Sequence, residues 1–211
     1  MTRERSGEEI EAIYDRWAFV YDTFTWLTEG RSLRRALDLL EIRDGESLLE
    51  IAVGTGVAFR DAILKNPSGT NVGIDLTEAM LKRARKKAAR TGVAHELLIA
   101  DARALSFSDA SFDVVMSFNM LGLIPESEIA AILREMFRVL RPGGRASFVT
   151  MRRPEKKIAE VFYDVVVIRL GGWRDIDIAP FVRAVGFEIA EKCVVTQRGV
   201  PSEVLLAKKP A

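Results

Sequence analysis

The stretch Leu48-Leu49-Glu50-Ile51-Ala52-Val53-Gly54-Thr55-Gly56 constrains the fold more than any other. Its first six residues form an apolar run broken only by Glu50, as in a strand buried on both faces. The run ends in a Gly-Thr-Gly turn, and a helical pattern resumes from Val57. A buried strand that passes through a glycine turn into a helix is the nucleotide-binding corner of an open α/β sheet. Glycine reaches positive φ freely and lets a ligand lie against the backbone. The helix that follows offers free N–H groups to an anionic or carboxylate-bearing ligand.

The rest of the chain supplies the sheet that such a corner needs. Apolar runs predict strands at 47–53, 71–75, 95–100, 112–118, 145–150, 188–196 and 202–208. Helical periodicity falls between them, at 57–65, 77–90, 127–140 and 175–185. Asn66-Pro67-Ser68-Gly69 stops the first of these helices, and Pro142-Gly143-Gly144 halts the third and turns the chain into the fifth strand. The last two strands read as a hairpin turning near Arg198-Gly199. The fold expected is a Rossmann-like, mostly parallel seven-stranded sheet with helices on both faces and a C-terminal antiparallel hairpin. Ahead of it lie an aromatic-rich amphipathic helix over 8–28 and a second helix over 32–41.

Length and charge narrow the function. At 211 residues the chain suits one domain. Lys+Arg 31 against Asp+Glu 30 leaves a net charge of +1, so no nucleic-acid partner is expected. The basic back of the helix at 77–90 lacks interleaved aromatics and reads as a solvated face. Cys193 is the single cysteine and His95 the single histidine, which excludes an internal disulfide and supplies no metal-ligand set. A reducing, cytoplasmic setting is expected: residues 1–11 have no secretory apolar core, and no apolar run approaches the roughly 20 residues of a membrane span. No motif specifies an oligomeric state.

Four polar residues fall at three strand ends, where ligands collect in open α/β sheets. Asp75 closes the second strand about 20 residues beyond Gly56, the place of an acid that accepts from ribose hydroxyls. Asp75 could instead cap the next helix, although Thr77 is itself a suitable N-cap. Asp101 follows the third strand, where an acid can accept from an adenine amino group or simply start a turn. Ser117 and Asn119 close the fourth strand, and turn chemistry alone also explains an Asn there. The acid spacing suits NAD and S-adenosylmethionine (SAM) alike. Phe59 stands where a dinucleotide motif would place its third glycine, and no Tyr-x-x-x-Lys pair occurs.

Several phrases resemble class I SAM-dependent methyltransferases, in particular the ubiquinone/menaquinone C-methyltransferase and phospholipid N-methyltransferase group. Glu50, Gly54 and Gly56 fit acid-x-G-x-G-x-G, with Ala52 replacing the first glycine. Ala18 to Asp22 resembles A-x-x-Y-D, and Gly73 to Leu81 resembles G-x-D-x-S-x-x-M-L. Leu105 to Val115 resembles L-P-F-x-D-x-S-F-D-x-V, and Leu133 to Gly144 resembles L-x-E-x-x-R-V-L-K-P-G-G. The resemblance implies SAM as cofactor, bound by Tyr21, Glu50, Ala52, Gly54, Thr55, Gly56, Asp75, Leu76, Asp101, Ala102, Ser117 and Asn119. It places Tyr21 and Asn119 at the reacting end; Tyr14, Asp22 and Tyr163 are further bases if one is needed. Residues 1–42 become a lid, 43–151 the SAM-binding core, 152–174 an acceptor-side insertion and 175–211 a closing helix and hairpin. The acceptor expected is a small molecule or lipid, a quinone precursor or ethanolamine phospholipid first. The basic segment 151–157 beside an apolar stretch suits peripheral contact with an anionic membrane. An NAD-binding oxidoreductase and a non-catalytic SAM-binding protein remain as rival readings.

Overall fold

A computed structural model describes residues 28–154 and 173–211. The helix expected over 8–28 and the apolar stretch after Pro154, with Tyr14, Tyr21, Asp22 and Tyr163, lie outside the described residues. So do Glu155, Lys156 and Lys157 of the basic segment.

The described elements are α1 (Gly30–Leu40), β1 (Ser47–Ile51), α2 (Val57–Leu64), β2 (Thr70–Asp75), α3 (Glu78–Ala88), β3 (Glu96–Ile99), β4 (Phe112–Phe118), α4 (Glu126–Val139), β5 (Leu140–Met151), α5 (Ala179–Ala184), β6 (Glu188–Gln197) and β7 (Val200–Lys208). They build one seven-stranded sheet in the order β3-β2-β1-β4-β5-β7-β6. The first five strands pair in parallel, and β7 runs antiparallel to both β5 and β6. Strand order reverses between β1 and β4, which opens a crevice at their carboxyl ends.

Alternation along the strands divides the core in two. Leu49, Ile51, Val115 and Phe148 face α4 and α5, against Ile129, Leu133, Met136 and Val182. Leu48, Val114, Met116 and Val149 face the other layer, against Leu37, Phe59, Ile63 and Leu81. The central strands β1, β2 and β4 are therefore covered on both sides, which explains why they read as apolar runs, whereas β3 at the sheet edge is only partly covered.

Two boundaries and one cap differ from expectation for a local reason. The last helix spans Ala179–Ala184, not 175–185. Pro180 lies in its first turn, and a proline deeper inside would clash with the carbonyl four residues earlier, so the helix cannot extend upstream. β5 begins at Leu140, directly at the end of α4. Pro142-Gly143-Gly144 thus stops the helix, but as a bulge inside the strand: the register on β4 jumps from Phe112↔Leu140 to Val114↔Arg145. Finally, Thr77 occupies the N-cap position of α3 without a side-chain capping bond. Its hydroxyl donates to Asp75 Oδ1 instead, at 3.1 Å.

The phrases most specific to the family turn out to meet each other. Arg138 on α4 donates to the carbonyls of Leu105 (2.9 Å) and Phe107 (2.7 Å) and to Asp109 (2.7 Å). Glu135 accepts the Leu105 N–H at 2.7 Å. The conspicuous residues of 105–115 and 133–144 thus wire the loop before β4 onto α4, away from the crevice. His95 is likewise structural, with Nδ1 2.8 Å from the Val93 carbonyl and the ring edge-on to Phe59.

Candidate cofactor site

The glycine corner forms as the local chemistry demands. After β1, Ala52 (φ 59), Gly54 (φ 56) and Gly56 (φ 81) all take the left-handed region, which two of the three reach without a Cβ penalty. Ala52 is the one strained member, at the position where the family pattern has glycine. The Val53 N–H bonds the Ile74 carbonyl at 2.9 Å, and the Gly56 N–H bonds the Val53 carbonyl at 3.0 Å. The two glycines serve different ends. A methyl at Gly56 would lie 2.7 Å from the Ala84 Cα on α3, so this glycine lets two helices close together. A methyl at Gly54 would meet nothing within 4 Å. Gly54 therefore borders open space and leaves its backbone approachable.

Below that corner a cleft of about 260 Å³ opens at the carboxyl ends of β1, β2, β3 and β4. Of the positions singled out in the sequence, Ala52, Asp75, Leu76, Asp101, Ala102 and Asn119 line it. Glu50, Gly54, Thr55, Gly56 and Ser117 stand behind or beside it and are not among its lining residues. Leu76 is 55% exposed, one of four exposed large apolar side chains among the described residues, which makes it a ready platform for a flat aromatic ring.

Asp75 is already engaged by its own chain. Oδ2 accepts the Gly54 N–H at 2.8 Å, and Oδ1 accepts the Thr77 N–H at 3.0 Å and its hydroxyl at 3.1 Å. A carboxylate offers about four acceptor positions, so one remains, and rotation of the Thr77 hydroxyl frees a second. The helix-start contact expected as one alternative for Asp75 is thus present, with acceptor capacity to spare beside it. Asp101 is held differently. Arg103 grips both carboxylate oxygens, with Nη2–Oδ2 at 2.6 Å, and reaches Glu128 on α4 at 2.9 Å. That guanidinium holds the Asp101 carboxyl below its usual range. Arg103 was not singled out in the sequence, where it reads as one more solvated cation.

Buried polar atoms at the sheet's crevice lack partners. Glu50 is 2% exposed, and its Oε2 makes no hydrogen bond. Burial foremost, then the nearby Asp75 and Asp61 carboxylates, raises its pKa well above the usual value. Ser117 Oγ and Asn119 Oδ1 are also buried and unpartnered. Asn119 stands just past β4 with φ 58, and its Nδ2 donates at 2.5 Å to Glu29, a buried acid at the start of α1. Burial pushes the Glu29 carboxyl up to about 8. Sequence reasoning missed Glu29 because an acid before a glycine at a helix start reads as an ordinary cap.

Trp173 closes against the loop after β4. A methyl on Gly122 would lie 2.3 Å from the indole nitrogen, and the Arg174 N–H bonds the Gly122 carbonyl at 2.9 Å. Arg152, the first cation of the basic segment, is turned inward, paired with Asp175 at 2.7 Å and with the buried Glu203 at 2.9 Å.

The donors and acceptors present fit an adenosyl cofactor: an open glycine backbone, an exposed apolar platform, a strand-end carboxylate with spare capacity and orphaned buried acceptors. A dinucleotide fit is poorer. Phe59, at the third-glycine position, is fully buried and packs toward Gly73, so no backbone approach is available there. A family model described as a methyltransferase domain matches residues 48–144. Residues 48–144 thus carry a methyltransferase domain. The residues that line the cleft fit S-adenosyl-L-methionine as the cofactor of such a domain. The chain is 36% identical over 168 residues to the ubiquinone/menaquinone biosynthesis C-methyltransferase UbiE of Pseudomonas entomophila, a match covering 76% of this chain and 64% of that relative's length. Among solved structures the fold superposes on the cyclase SpnF (TM-score 0.79, 18% identity, 98% of this chain and 97% of that one). It also superposes on a Haemonchus contortus phosphoethanolamine N-methyltransferase in complex with phosphomonomethylethanolamine and S-adenosylhomocysteine (TM-score 0.77, 17% identity, 96% of this chain and 60% of that one). At these identities the two structures speak for the fold alone. No described helix is long and apolar enough to cross a membrane, and no described cluster of His, Cys, Asp and Glu could hold a metal ion.

Proposed function

We propose that this protein methylates a small organic acceptor, with a quinone precursor favoured and an ethanolamine phospholipid second. The single observation that carries the reading is the switch-point cleft, with an acid-tipped β2 and an open Gly54 backbone, in a chain 36% identical to a C-methyltransferase. When bound, the cofactor supplies a methyl group made electrophilic by a sulfonium. The protein's own work is to place and orient. Asp75 accepts from the ribose, Leu76 covers one face of the base, and the backbone at Gly54 leaves room for the chain of the cofactor. Glu50 lies behind the corner as a buried acceptor. Asn119 is assigned to the reacting end of the cleft, where the resemblance also puts Tyr21.

The acceptor follows from resemblance and from the apolar, aromatic composition of the segments 8–28 and 161–170. Release of S-adenosylhomocysteine, measured over demethylated quinol precursors, ethanolamine phospholipid and soluble amines or phenols, tests it. Turnover with the quinol set, enhanced by detergent or anionic vesicles, supports the reading. Turnover confined to soluble acceptors, with no response to lipid, removes the lipid part. Tight cofactor binding without methyl release to any acceptor favours a non-catalytic role, as the fold itself does not dictate the chemistry.

A further inference from the structure

We propose that Glu29 is a positioning residue: it holds the Asn119 carboxamide so that Oδ1 is presented to the amino-acid tail of the bound cofactor. The inference rests on the reading of the switch-point cleft as the cofactor site.

The two residues are 90 positions apart, yet the Asn119 Nδ2 and the Glu29 Oε2 meet at 2.5 Å between buried side chains. Glu29 is 2% exposed and Asn119 5%. The Asn119 amide is turned so that its N–H donates and the carboxyl oxygen accepts. With Nδ2 committed, Oδ1 faces away, and it is left buried with no partner. A buried acceptor without a donor is rare and calls for an explanation. Asn119 lines the cleft, so a ligand in the cleft can supply that donor.

Position selects the end of the ligand. Asp75, Leu76 and Asp101 line the cleft from the ends of β2 and β3. Asn119 follows β4, on the other side of β1. If the adenosine spans the first group, the tail with its ammonium group reaches the second. An ammonium carries three donors, which matches an orphaned amide oxygen. Burial raises the Glu29 carboxyl, as expected of an acid enclosed beside the Asn119 amide.

Calorimetry with two ligands tests this. S-adenosylhomocysteine has the amino-acid tail; 5′-methylthioadenosine lacks it. Glu29→Leu is expected to weaken S-adenosylhomocysteine roughly 5- to 15-fold, the scale of one lost hydrogen bond. Methylthioadenosine affinity should stay within about twofold, since the bond lost is to the tail alone. Glu29→Gln keeps an acceptor oxygen and should restore most of the affinity. In an Asn119→Ala background, Glu29→Leu should add nothing further. Glu29→Met gives the same comparison if the leucine variant does not fold. Equal losses for both ligands, or a Glu29→Leu effect that persists without the Asn119 amide, would overturn the proposal. Absence of S-adenosylhomocysteine binding by the unaltered protein would instead overturn the cofactor-site reading. Binding that Asn119→Ala leaves unchanged would sink this inference alone.

Discussion

Gly54 and Gly56 share a turn and a positive φ, yet alanine at the two positions should produce opposite failures. At Gly56 two penalties combine. The residue sits at φ 81, where a Cβ costs about 1–2 kcal/mol. That Cβ would also lie 2.7 Å from the Ala84 Cα and 2.8 Å from its Cβ. The nearer atom is helix backbone and cannot rotate away, so α3 must shift, and overpacking of this kind costs roughly 1–3 kcal/mol. Gly56→Ala should therefore destabilise by about 2–5 kcal/mol. At Gly54 only the backbone term applies, so Gly54→Ala should cost about 1–2 kcal/mol. The same methyl enters the open space beside the cleft. Gly54→Ala should then weaken S-adenosylhomocysteine more than Gly56→Ala does, measured in protein shown to be folded. Urea unfolding gives the first comparison, with an unchanged m-value required, and calorimetry gives the second. If Gly54→Ala proves as destabilising as Gly56→Ala, the assignment of one glycine to packing and the other to ligand access is wrong.

Asp75→Asn keeps the size and one acceptor oxygen but loses the charge and half the acceptor capacity. Cofactor affinity should fall about 10- to 100-fold, the scale of bonds to a charged group, with a smaller loss of stability because Gly54 and Thr77 also lean on this carboxylate; affinity equal to that of the unaltered protein would place the ribose elsewhere. The buried Glu29 makes stability depend on pH in the unusual direction. Its carboxyl is raised from 4.5 to about 8 in the folded protein, so the folded state holds a proton that the unfolded chain has released. Its stabilisation is full below about pH 4.5, is lost as pH rises to about 8, and levels off above; the total is on the order of 5 kcal/mol. Measured against Glu29→Gln, which does not titrate, the stability of the unaltered protein should decline between pH 5 and 8. The low-held carboxyls Asp101, Asp113, Glu135 and Asp177 titrate below that window. A difference that stays flat with pH would show Glu29 to be ionised throughout.

The sheet was legible because burial on both faces writes itself as unbroken apolar runs: β4 was expected at 112–118 and spans those residues. The short α5 was not, because Pro180 acts through a clash that periodicity does not encode. Among site positions, Asp75, Leu76, Asp101, Ala102 and Asn119 could be placed because strand ends point at the crevice whatever the side chain. What the sequence concealed is how each carboxyl is occupied. Asp101 is gripped by Arg103, and Asp75 is shared between Gly54 and Thr77. Glu29 owes its chemistry to Asn119, 90 positions away. Such pairings arise only from the folded geometry. Resemblance, for its part, drew attention to the residues around Arg138, whose conspicuous pattern serves loop anchoring.

The seat of Trp173 on Gly122 has a consequence for how such a protein can diversify. The indole presses on the loop following β4 so closely that position 122 admits no side chain. With the Arg174 N–H bonded to the Gly122 carbonyl beside it, the chain around Trp173 and the loop that borders the cleft are keyed together through one glycine, so neither can drift in sequence without the other.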